Sequence, residues 1–471
     1  MNDAVLAPGG SGLGDGGAAG LVSELRQILN PRSVAVVGAS SSPTKFGYFF
    51  TQCFVEMGFT RLYPINPRET EVLGLRAYPT VRDVPDEVDL AFVVTPTEAV
   101  LPVVADCGAK GVKGIVVYTS GFAEKGPEGV RLQRQLVEVA RQHGARIIGP
   151  NCMGIYAPKA RLSYYPGMPK ESGAIAMISQ SGSLSIFVVW TAQCKGLHFD
   201  TVVSCGNEAD LNMADFLEYF GADPKVEIIA AYLEGMQDGR RFLRLARDIS
   251  RRKPIIALKG GTTDRGGRAA NSHTGALAGS NRVWKAVFDQ AGIVTVDSLE
   301  EMVDALLVFS RVPAPSGPRV AIVSGPGGPA VLSADACAQE GLEVAELSEA
   351  TKRRLAGLMP AVGTNPDNPV DLGMGTVMDP SVYRLAIEVL AADRNVDVIL
   401  AIGSCDTSFG QVMVATRDAI NRPLLVAGLL PPERFSEGYL YLTANGIAAY
   451  PDPRRAIRAL ARLYRFSLMT Q

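Results

Sequence analysis

One histidine of the sequence, His273, lies among small and polar residues that would leave its ring accessible. It belongs to the stretch 259–280, most of which lacks helical or strand periodicity, and compact domains rarely keep so long an irregular stretch without a use. A histidine can act as an acid, a base, a ligand or a covalent carrier. We therefore predict a functional role for His273 and interpret His143 and His198, in helix-end or turn contexts, as structural.

Glu234 is the best candidate for a partner of this histidine. A carrier histidine must present one neutral ring nitrogen, so its other nitrogen has to donate to an acceptor, and a carboxylate serves well. Glu234 directly follows the predicted strand 228–233, at the sheet edge from which the histidine stretch also starts. We predict that Glu234 orients His273.

Two loops, which we call the first and second phosphate loops, are predicted to bind anions. Each follows a buried strand and leads into a helix whose first N–H groups carry partial positive charge. They cover residues 179–183 and 324–329. If the loops face one another, they could hold a phosphorylated histidine between two helix ends. The loop residues that could bind phosphate are Ser181, Gly182, Ser183, Gly325, Gly327 and Gly328.

A third loop of small residues follows the predicted strand 33–38 and could bind the phosphates of a nucleotide, although a tight turn without a ligand is the alternative. The loop lacks GxGxxG spacing, and the next strand does not end in an acid that would hold a ribose hydroxyl, so NAD is disfavoured. The bases Lys45 and Arg68 suit a ligand with an extra phosphate, such as coenzyme A (CoA) or NADP. The candidate binding residues here are Gly38, Ala39, Ser40, Lys45, Phe46, Gly47, Asn66, Pro67 and Arg68.

Other strands of the same predicted sheet end in further candidate residues. In a doubly wound sheet, the loops at the carboxyl ends of the strands form the ligand crevice. Cys152 could be a nucleophile, but no activating group neighbours it in the sequence, so we interpret it as pocket lining. The candidates at these strand ends are Thr95, Pro96, Ser120, Asn151 and Cys152.

Strands and helices alternate in three blocks, which predicts an α/β fold of three doubly wound parallel-sheet domains. Continuous apolar runs are typical of strands that are buried on both faces. We predict a flexible glycine-rich leader at 1–20 and domains at 21–158, 170–312 and 318–471, the last after a proline-rich linker. The predicted strands are 33–38, 61–65, 90–95, 114–118, 146–148, 174–179, 201–204, 228–233, 254–258, 319–324, 397–402 and 423–427.

The composition of the 471 residues disfavours several classes of function. With 46 Lys and Arg against 48 Asp and Glu, the chain lacks the basic charge on which nucleic-acid binders depend. No run of about 18 apolar residues predicts a membrane span, and the first twenty residues lack a signal-peptide pattern. The seven cysteines form no CxxC pair and only three histidines occur, so no metal site is predicted and a reducing cytoplasm is expected.

Together these features resemble the α subunit of NDP-forming acyl-CoA synthetases, such as ADP-forming acetyl-CoA synthetase, in the succinyl-CoA synthetase superfamily. The resemblance extends from about Leu21 to the last helix. Its most specific motif is 272–279, which looks like the phosphohistidine loop of the family. The other matching motifs are 179–182, 206–210, 232–235 and 368–372.

This resemblance implies a Rossmann-like CoA-binding domain followed by two flavodoxin-like ligase domains. It assigns phosphoryl transfer to His273, the orientation of its ring to Glu234, and phosphate binding to the two helix starts together with Gly206 and Asn207. Phosphate would attack an acyl-CoA, His273 would take the phosphoryl group from the acyl phosphate, and ADP would receive it. Pro326 and Pro329 depart from the glycine-rich pattern of the second loop, and each removes an N–H donor.

The resemblance also implies a partner, because these enzymes need an ATP-grasp domain that brings ADP or ATP and Mg²⁺. The chain ends at Gln471, after a final amphipathic helix, so we expect this domain on a separate β subunit in a hetero-oligomer with contacts between α subunits. A CoA-binding regulatory protein on the same scaffold is the main alternative. Two others are an NADP-dependent oxidoreductase and an acyl-CoA enzyme whose intermediate proceeds to elimination or transfer. The sequence does not name the acyl group.

Overall fold

The computed structural model describes residues 15–268, 280–360, 362–377, 379–429 and 436–470. His273 and the rest of its motif therefore lie outside the described residues. Helix α1 (Asp15–Leu29) begins inside the stretch 1–20 that is predicted as a leader.

The first domain is built on a parallel sheet of five strands in the order β2-β1-β5-β6-β7. Every residue of β1 is buried, as its continuous apolar run predicts. Because β1 lies between β2 and β5, the loops after β1 and β5 run to opposite faces and leave a crevice at the carboxyl edge. The strands are β1 (Val34–Val37), β2 (Leu62–Ile65), the hairpin β3 (Glu71–Val72) and β4 (Leu75–Arg76), β5 (Leu90–Val93), β6 (Gly114–Val117) and β7 (Arg146–Ile148). The helices are α2 (Phe46–Glu56), α3 (Thr97–Lys110) and α4 (Pro127–Gln142), with short 3-10 turns at Val81–Asp83 and Ala123–Lys125.

The second domain has a six-stranded sheet in the order β13-β12-β11-β9-β10-β8. Its edge strand β8 (Gly154–Tyr156) runs antiparallel to β10 and comes from the end of the region predicted as the first domain. The other strands are β9 (Ile175–Ser179), β10 (Phe199–Ser204), β11 (Ile228–Leu233), β12 (Ile255–Lys259) and β13 (Val294–Val296). The helices are α5 (Gly182–Gln193), α6 (Met213–Ala222), α7 (Gly239–Ile249), α8 (Asn281–Ala291) and α9 (Leu299–Arg311), and a 3-10 turn covers Pro158–Ala160.

The third domain repeats this architecture with a parallel sheet in which β14 pairs with β17 on one side and with two short strands on the other. The strands are β14 (Arg319–Ser324), β15 (Glu343–Val344), β16 (Val370–Asp371), β17 (Val398–Gly403), β18 (Leu424–Gly428) and β19 (Ala448–Tyr450). The helices are α10 (Gly327–Glu340), α11 (Glu349–Ala356), α12 (Ser381–Ala391), α13 (Thr407–Ala419), α14 (Ser436–Ala444) and α15 (Pro453–Thr470), and a 3-10 turn covers Met374–Val377. The predicted α/β class of three parallel-sheet domains is confirmed.

The first two domains are joined by a buried carboxylate, that of Asp210. It accepts hydrogen bonds from Arg141 Nη2 at 2.6 Å, from Arg146 Nε at 2.8 Å and from the N–H of Ile147 at 3.0 Å. Burial acts to raise the pKa of Asp210, but the hydrogen bond and charge of Arg146, with the other donors, hold it below its usual value. This ionised contact fixes the loop after β10 against the start of β7, and with it the geometry of the crevice between the domains.

Candidate functional site

A cavity of about 500 Å³ lies between the carboxyl edge of the first sheet and the start of α5 in the second domain. It brings together two groups of residues that the sequence predicts separately, the strand-end candidates for CoA and the first phosphate loop. From the first domain the predicted lining residues are Phe46, Thr95, Pro96, Ser120, Asn151 and Cys152. From the second domain they are Ser181, Gly182 and Ser183.

The first phosphate loop leads into α5, and a serine of the loop caps this helix. The Ser181 side chain accepts the N–H of Leu184 at 3.4 Å as the N-cap of α5, and the hydroxyls of Ser181 and Ser183 are 3.3 Å apart. A Cβ added at Gly182 would lie 2.2 Å from Met153 Cγ, so the helix start approaches the first domain closely only because this residue is glycine. Hydroxyls, N–H groups and the positive helix end thus share one wall of the cavity, where they would stabilise a bound anion.

Glu234 lies one strand away from this loop, directly after β11, which pairs with β9. Its side chain is only 7% exposed, and Tyr232 Oη donates to its Oε1 at 3.2 Å. Lys259 Nζ donates to the backbone carbonyl of Glu234 at 2.9 Å. Burial lowers the pKa of Lys259, while the charge of Glu234 acts in the opposite direction.

The stretch that carries His273 leaves the sheet beside Glu234. Strand β12 ends at Lys259, which is in register with Leu233, and the N–H of Gly260 donates to the Leu233 carbonyl at 2.8 Å. His273 itself lies outside the described residues, so its predicted contact with Glu234 stays a prediction. The start of its stretch is at the sheet edge that the sequence predicts.

Gly206 and Asn207 join the two domains. Gly206 has a φ of +53°, and a Cβ there would lie 2.4 Å from the carbonyl oxygens of Pro150 and Asn151. Asn207 Nδ2 donates to Glu124 Oε2 at 2.6 Å, while its Oδ1 accepts from Asn151 Nδ2 at 3.3 Å. Neither residue is among those that line the cavity, so their predicted phosphate contacts remain a prediction.

The loop after β1 makes the tight turn that is typical of nucleotide-binding loops. However, its hydroxyl and N–H donors are bound by the carboxylate of Glu69, which the sequence reasoning missed. Gly38 has a φ of +92°, and a Cβ at Gly47 would lie 1.9 Å from the Gly38 carbonyl oxygen. Glu69 accepts the Ser40 hydroxyl at 3.0 Å and the N–H of Ser41 at 2.8 Å. The hydrogen bonds from Ser41 lower the pKa of Glu69. The position of Glu69 in the sequence gave a signal, because three residues beyond Asn66 the chain is close enough to fold back onto the loop after β1.

The remaining candidates of this loop divide into buried and exposed groups. Ala39 and Ser40 are buried, and the Ala39 carbonyl accepts from Asn66 Nδ2 at 2.7 Å. Outside the loop core, the exposed residues are Lys45, Pro67 and Arg68. Asn66 therefore shapes the loop, while the two basic side chains are available to an anionic ligand.

Cys152 lines the cavity as a neutral thiol. It is 5% exposed, and its Sγ lies 3.6 Å from the carbonyl oxygens of Val117 and Ile148. Burial raises the pKa of the thiol to about 12. A neutral thiol is a poor nucleophile, which favours the interpretation as pocket lining.

Thr95 offers the cavity a polar atom that protein groups leave unused. Its Oγ1 is buried and has no hydrogen-bond partner among the described residues, while its carbonyl accepts from Thr119 Oγ1 at 2.6 Å. A buried hydroxyl without a partner costs free energy, so a ligand that reaches it is stabilised. The polar groups that line the cavity fit a polar ligand.

The second phosphate loop does not line this cavity. Pro326 is the N-cap of α10, and the space at Gly328 is open. A Cβ would lie 2.4 Å from Thr376 Oγ1 at Gly325 and 2.6 Å from Asp371 Oδ2 at Gly327. The predicted meeting of the two loops around a phosphohistidine therefore stays a prediction.

Two family models match the chain. One, described as a CoA binding domain, matches residues 32–158, and the other, described as a succinyl-CoA ligase like flavodoxin domain, matches residues 172–309. The α subunit of ADP-forming acetate–CoA ligase II from Pyrococcus furiosus is 40% identical over 437 residues, which cover 91% of this chain and 95% of that relative. The chain belongs to the α-subunit family of the ADP-forming acyl-CoA ligases.

Two further comparisons agree with this family. ADP-forming acetate–CoA ligase I from Archaeoglobus fulgidus is 37% identical over 446 residues, which cover 94% of this chain and 64% of that relative. The solved structure of dinucleotide-forming acetyl-CoA synthetase 1 from Ca. Korarchaeum cryptofilum, in complex with phosphate and ADP, superimposes with a TM-score of 0.86 at 35% identity, covering 95% of this chain and 97% of that one. The predicted family, fold class and enzyme class are confirmed.

The sequence reasoning also missed two side chains of this region: Gln180, which lines the cavity, and Glu208. Both are part of motifs that resemble the family, but their types alone did not indicate a role. Gln180 connects the phosphate loop to the turn at Glu234, and Glu208 contacts Gln180.

Two kinds of feature are absent from the described ranges. We find there no helix with the length and apolar character to cross a bilayer. In the same part of the chain no three His, Cys, Asp or Glu side chains cluster in a way that could hold a metal ion.

Proposed function

We propose that this chain is the catalytic α subunit of an ADP-forming acyl-CoA ligase, with the thioester end of acyl-CoA and the phosphate bound in the cavity between its first two domains. One observation carries the proposal. The cavity joins the strand ends of the CoA-binding domain to the capped start of α5, and Glu234 lies one strand away. The unpartnered Thr95 hydroxyl and the exposed bases Lys45 and Arg68 support a ligand that extends over the first sheet.

The proposed reaction is a phosphoryl relay in which the protein chiefly positions groups and offsets charge. An oxygen of hydrogen phosphate at the α5 loop attacks the thioester carbonyl, the C–S bond breaks, and the proton of the phosphate passes to the CoA sulfur, so that CoA leaves as the thiol. His273 then attacks the phosphorus of the acyl phosphate, and the carboxylate leaves. Glu234 accepts the N–H of the other ring nitrogen and so favours the attacking tautomer.

The proposal includes a β subunit that carries an ATP-grasp domain with ADP or ATP and Mg²⁺. This chain covers 95% of the length of the relative that is named an α subunit. It covers 64% of the length of the relative that is not named a subunit. The name of the first of these relatives, an α subunit, supports a second chain for the nucleotide step. We also place the protein in the cytoplasm, because its seven cysteines are free, as is usual in reducing compartments.

The decisive experiment is labelling of the full chain with acetyl-CoA and ³²P-labelled inorganic phosphate. We expect an acid-labile, base-stable label, as a phosphoramidate gives. H273A should abolish the label and leave CoA affinity, measured by calorimetry, nearly unchanged, because the candidate CoA contacts lie in the first domain. H143A replaces an exposed histidine at the end of α4 and is the matched control that should keep the label. Full ligase activity of H273A with the β subunit would show that the phosphoryl group bypasses this histidine.

A further inference from the structure

The side-chain amide of Gln180 connects the two halves of the candidate site. Gln180 directly precedes Ser181 of the phosphate loop, and its Oε1 accepts the N–H of Glu234 and the N–H of Gly235, the latter at 3.0 Å. Its Nε2 donates to the Gly235 carbonyl and to Glu208 Oε1, each at 3.1 Å. Both ends of the amide are therefore engaged, and one end holds the turn that carries Glu234.

Glu208 adds a fixed acceptor on the other side of this amide. Its Oε1 also accepts from the Cys205 thiol at 3.1 Å, and the backbone at Glu208 has a φ of +55°. The side chain of Gln237 donates to the Glu208 carbonyl at 2.9 Å, which helps to hold this conformation. An acceptor at this point requires that Gln180 present its Nε2 to Glu208 and its Oε1 to the turn.

Burial makes this arrangement stiff. Gln180 is 4% exposed, Glu208 2% and Glu234 7%, so bulk water does not compete for the hydrogen bonds. A side chain that is held by buried bonds at both ends transmits its position directly. Here it sets the distance between the α5 phosphate loop and the Glu234 turn.

We propose that Gln180, oriented by Glu208, is a positioning residue that holds the Glu234 turn in register with the phosphate loop. The inference rests on the proposed function, in which Glu234 orients the phosphoryl-carrying histidine. Partners one step removed from the reacting groups act in this way, by orienting the groups that react. Gln180 also lines the cavity, but both polar ends of its amide are taken up by protein groups, so its proposed role is one of position.

The test measures the single-turnover rate of labelling by acetyl-CoA and ³²P-labelled phosphate in variants of the full chain. Q180M keeps the length of the side chain but removes the amide. It should slow labelling at saturating substrate by roughly ten- to a hundredfold. The acetyl-CoA concentration that gives half the maximal rate should change by less than about twofold, because ground-state binding is retained.

A pair of charge-changing variants tests whether Gln180 and Glu208 affect the labelling rate through the hydrogen bond between them, and not only through the stability of the fold. At pH 8, above the pKa of Glu208, Q180E keeps an acceptor for the N–H groups of Glu234 and Gly235 but places a second carboxylate against the ionised Glu208, so it should also slow labelling. E208Q alone keeps an acceptor oxygen for Gln180 and should slow labelling less than Q180E does. The double variant Q180E/E208Q restores a donor opposite the new carboxylate and should label faster than Q180E. Q193E, the same change on the exposed Gln193 at the other end of α5, is the matched control.

The outcomes separate this inference from the proposed function. If the wild-type chain takes no label from acetyl-CoA or from any other acyl-CoA of a panel, the proposed function fails and the inference fails with it. If the wild-type chain is labelled but Q180M and Q180E label at its rate, the positioning role alone is overturned. A double variant no faster than Q180E would also overturn it. This last comparison decides the matter if Q180M does not fold.

Discussion

At the scale of single residues, the most unusual group near the site is the carboxyl of Glu208. Burial is the main cause that raises its pKa from an ordinary value near 4.5 to about 7, and the charge of Asp215 acts in the same direction. Hydrogen bonds from the Cys205 thiol, Gln180 and the N–H of Met213 oppose the rise without cancelling it. The folded protein therefore keeps a proton on Glu208 that the unfolded chain has released at the same pH.

This proton predicts a pH-dependent stability. Between about pH 4.5 and 7 the folded state binds more protons at Glu208 than the unfolded state, so the free energy of unfolding falls as the pH rises. E208Q removes the titration, and its stability relative to the wild type should increase by up to about 3 kcal/mol from pH 5 to pH 8. Urea unfolding at each pH measures the difference. E138Q, the same change on an exposed side chain of α4, is the control, and a pH-independent difference for E208Q would contradict the assignment.

Residue types and the sheet-edge rule were enough to predict part of the site. The serines of the α5 loop and Glu234 follow buried strands, so parallel pairing places them at one edge. Gln180 and Glu69 were missed because their partners come from separate loops, and neither residue type stands out in the sequence. Contacts of this kind depend on how loops pack after the sheets have formed.

At the scale of elements, long apolar runs predicted strands well, and short pairings were missed. The observed bounds of β11 and β14 coincide with the predicted ones, because each has six residues and contains a continuous apolar run that is buried. Strands β8 and β16 cover three and two residues, too few to give a periodicity signal. Their positions depend on partners distant in sequence.

Two glycines near the starts of α5 and α10 are expected to respond differently to substitution. A Cβ at Gly182 would meet Met153 Cγ at 2.2 Å, whereas nothing lies within 4 Å of a Cβ at Gly328 near the start of α10. G182A should lower the free energy of unfolding by about 1–3 kcal/mol, since the two domains must separate locally. G328A should leave it unchanged or raise it by up to about 1 kcal/mol, because alanine favours helix. Urea unfolding measures both, and equal effects would show that the contact with Met153 is dispensable.

At the scale of the whole molecule, the C-terminal helix α15 ties the third domain to the second. Arg455 Nε and Nη2 donate to the two carboxylate oxygens of Asp304 in α9, at 2.6 and 2.9 Å. Arg462 and Arg458 of the same helix contact Glu301, each at 2.6 Å. Apolar residues of α15 belong to the same buried cluster as those of the second sheet. The sequence predicted the amphipathic helix, but the domain on which it packs depends on charges that lie some 150 residues away, which local patterns cannot show.

The pair of Asp304 and Arg455 gives a test of this connection. The Asp304 side chain is 4% exposed and that of Arg455 is 30% exposed, so removing the arginine leaves a carboxylate buried without its main counter-charge. R455M should lower the free energy of unfolding by about 2–4 kcal/mol, whereas the double variant D304L/R455M should lose less, because it removes the buried charge as well. R465M removes a half-exposed arginine of the same helix that lies 3.8 Å from Glu340, and it should cost less than about 1 kcal/mol. If the double variant is destabilised by the sum of D304L and R455M measured singly, the two side chains act independently and packing of apolar surface, not this ion pair, holds α15 on the second domain.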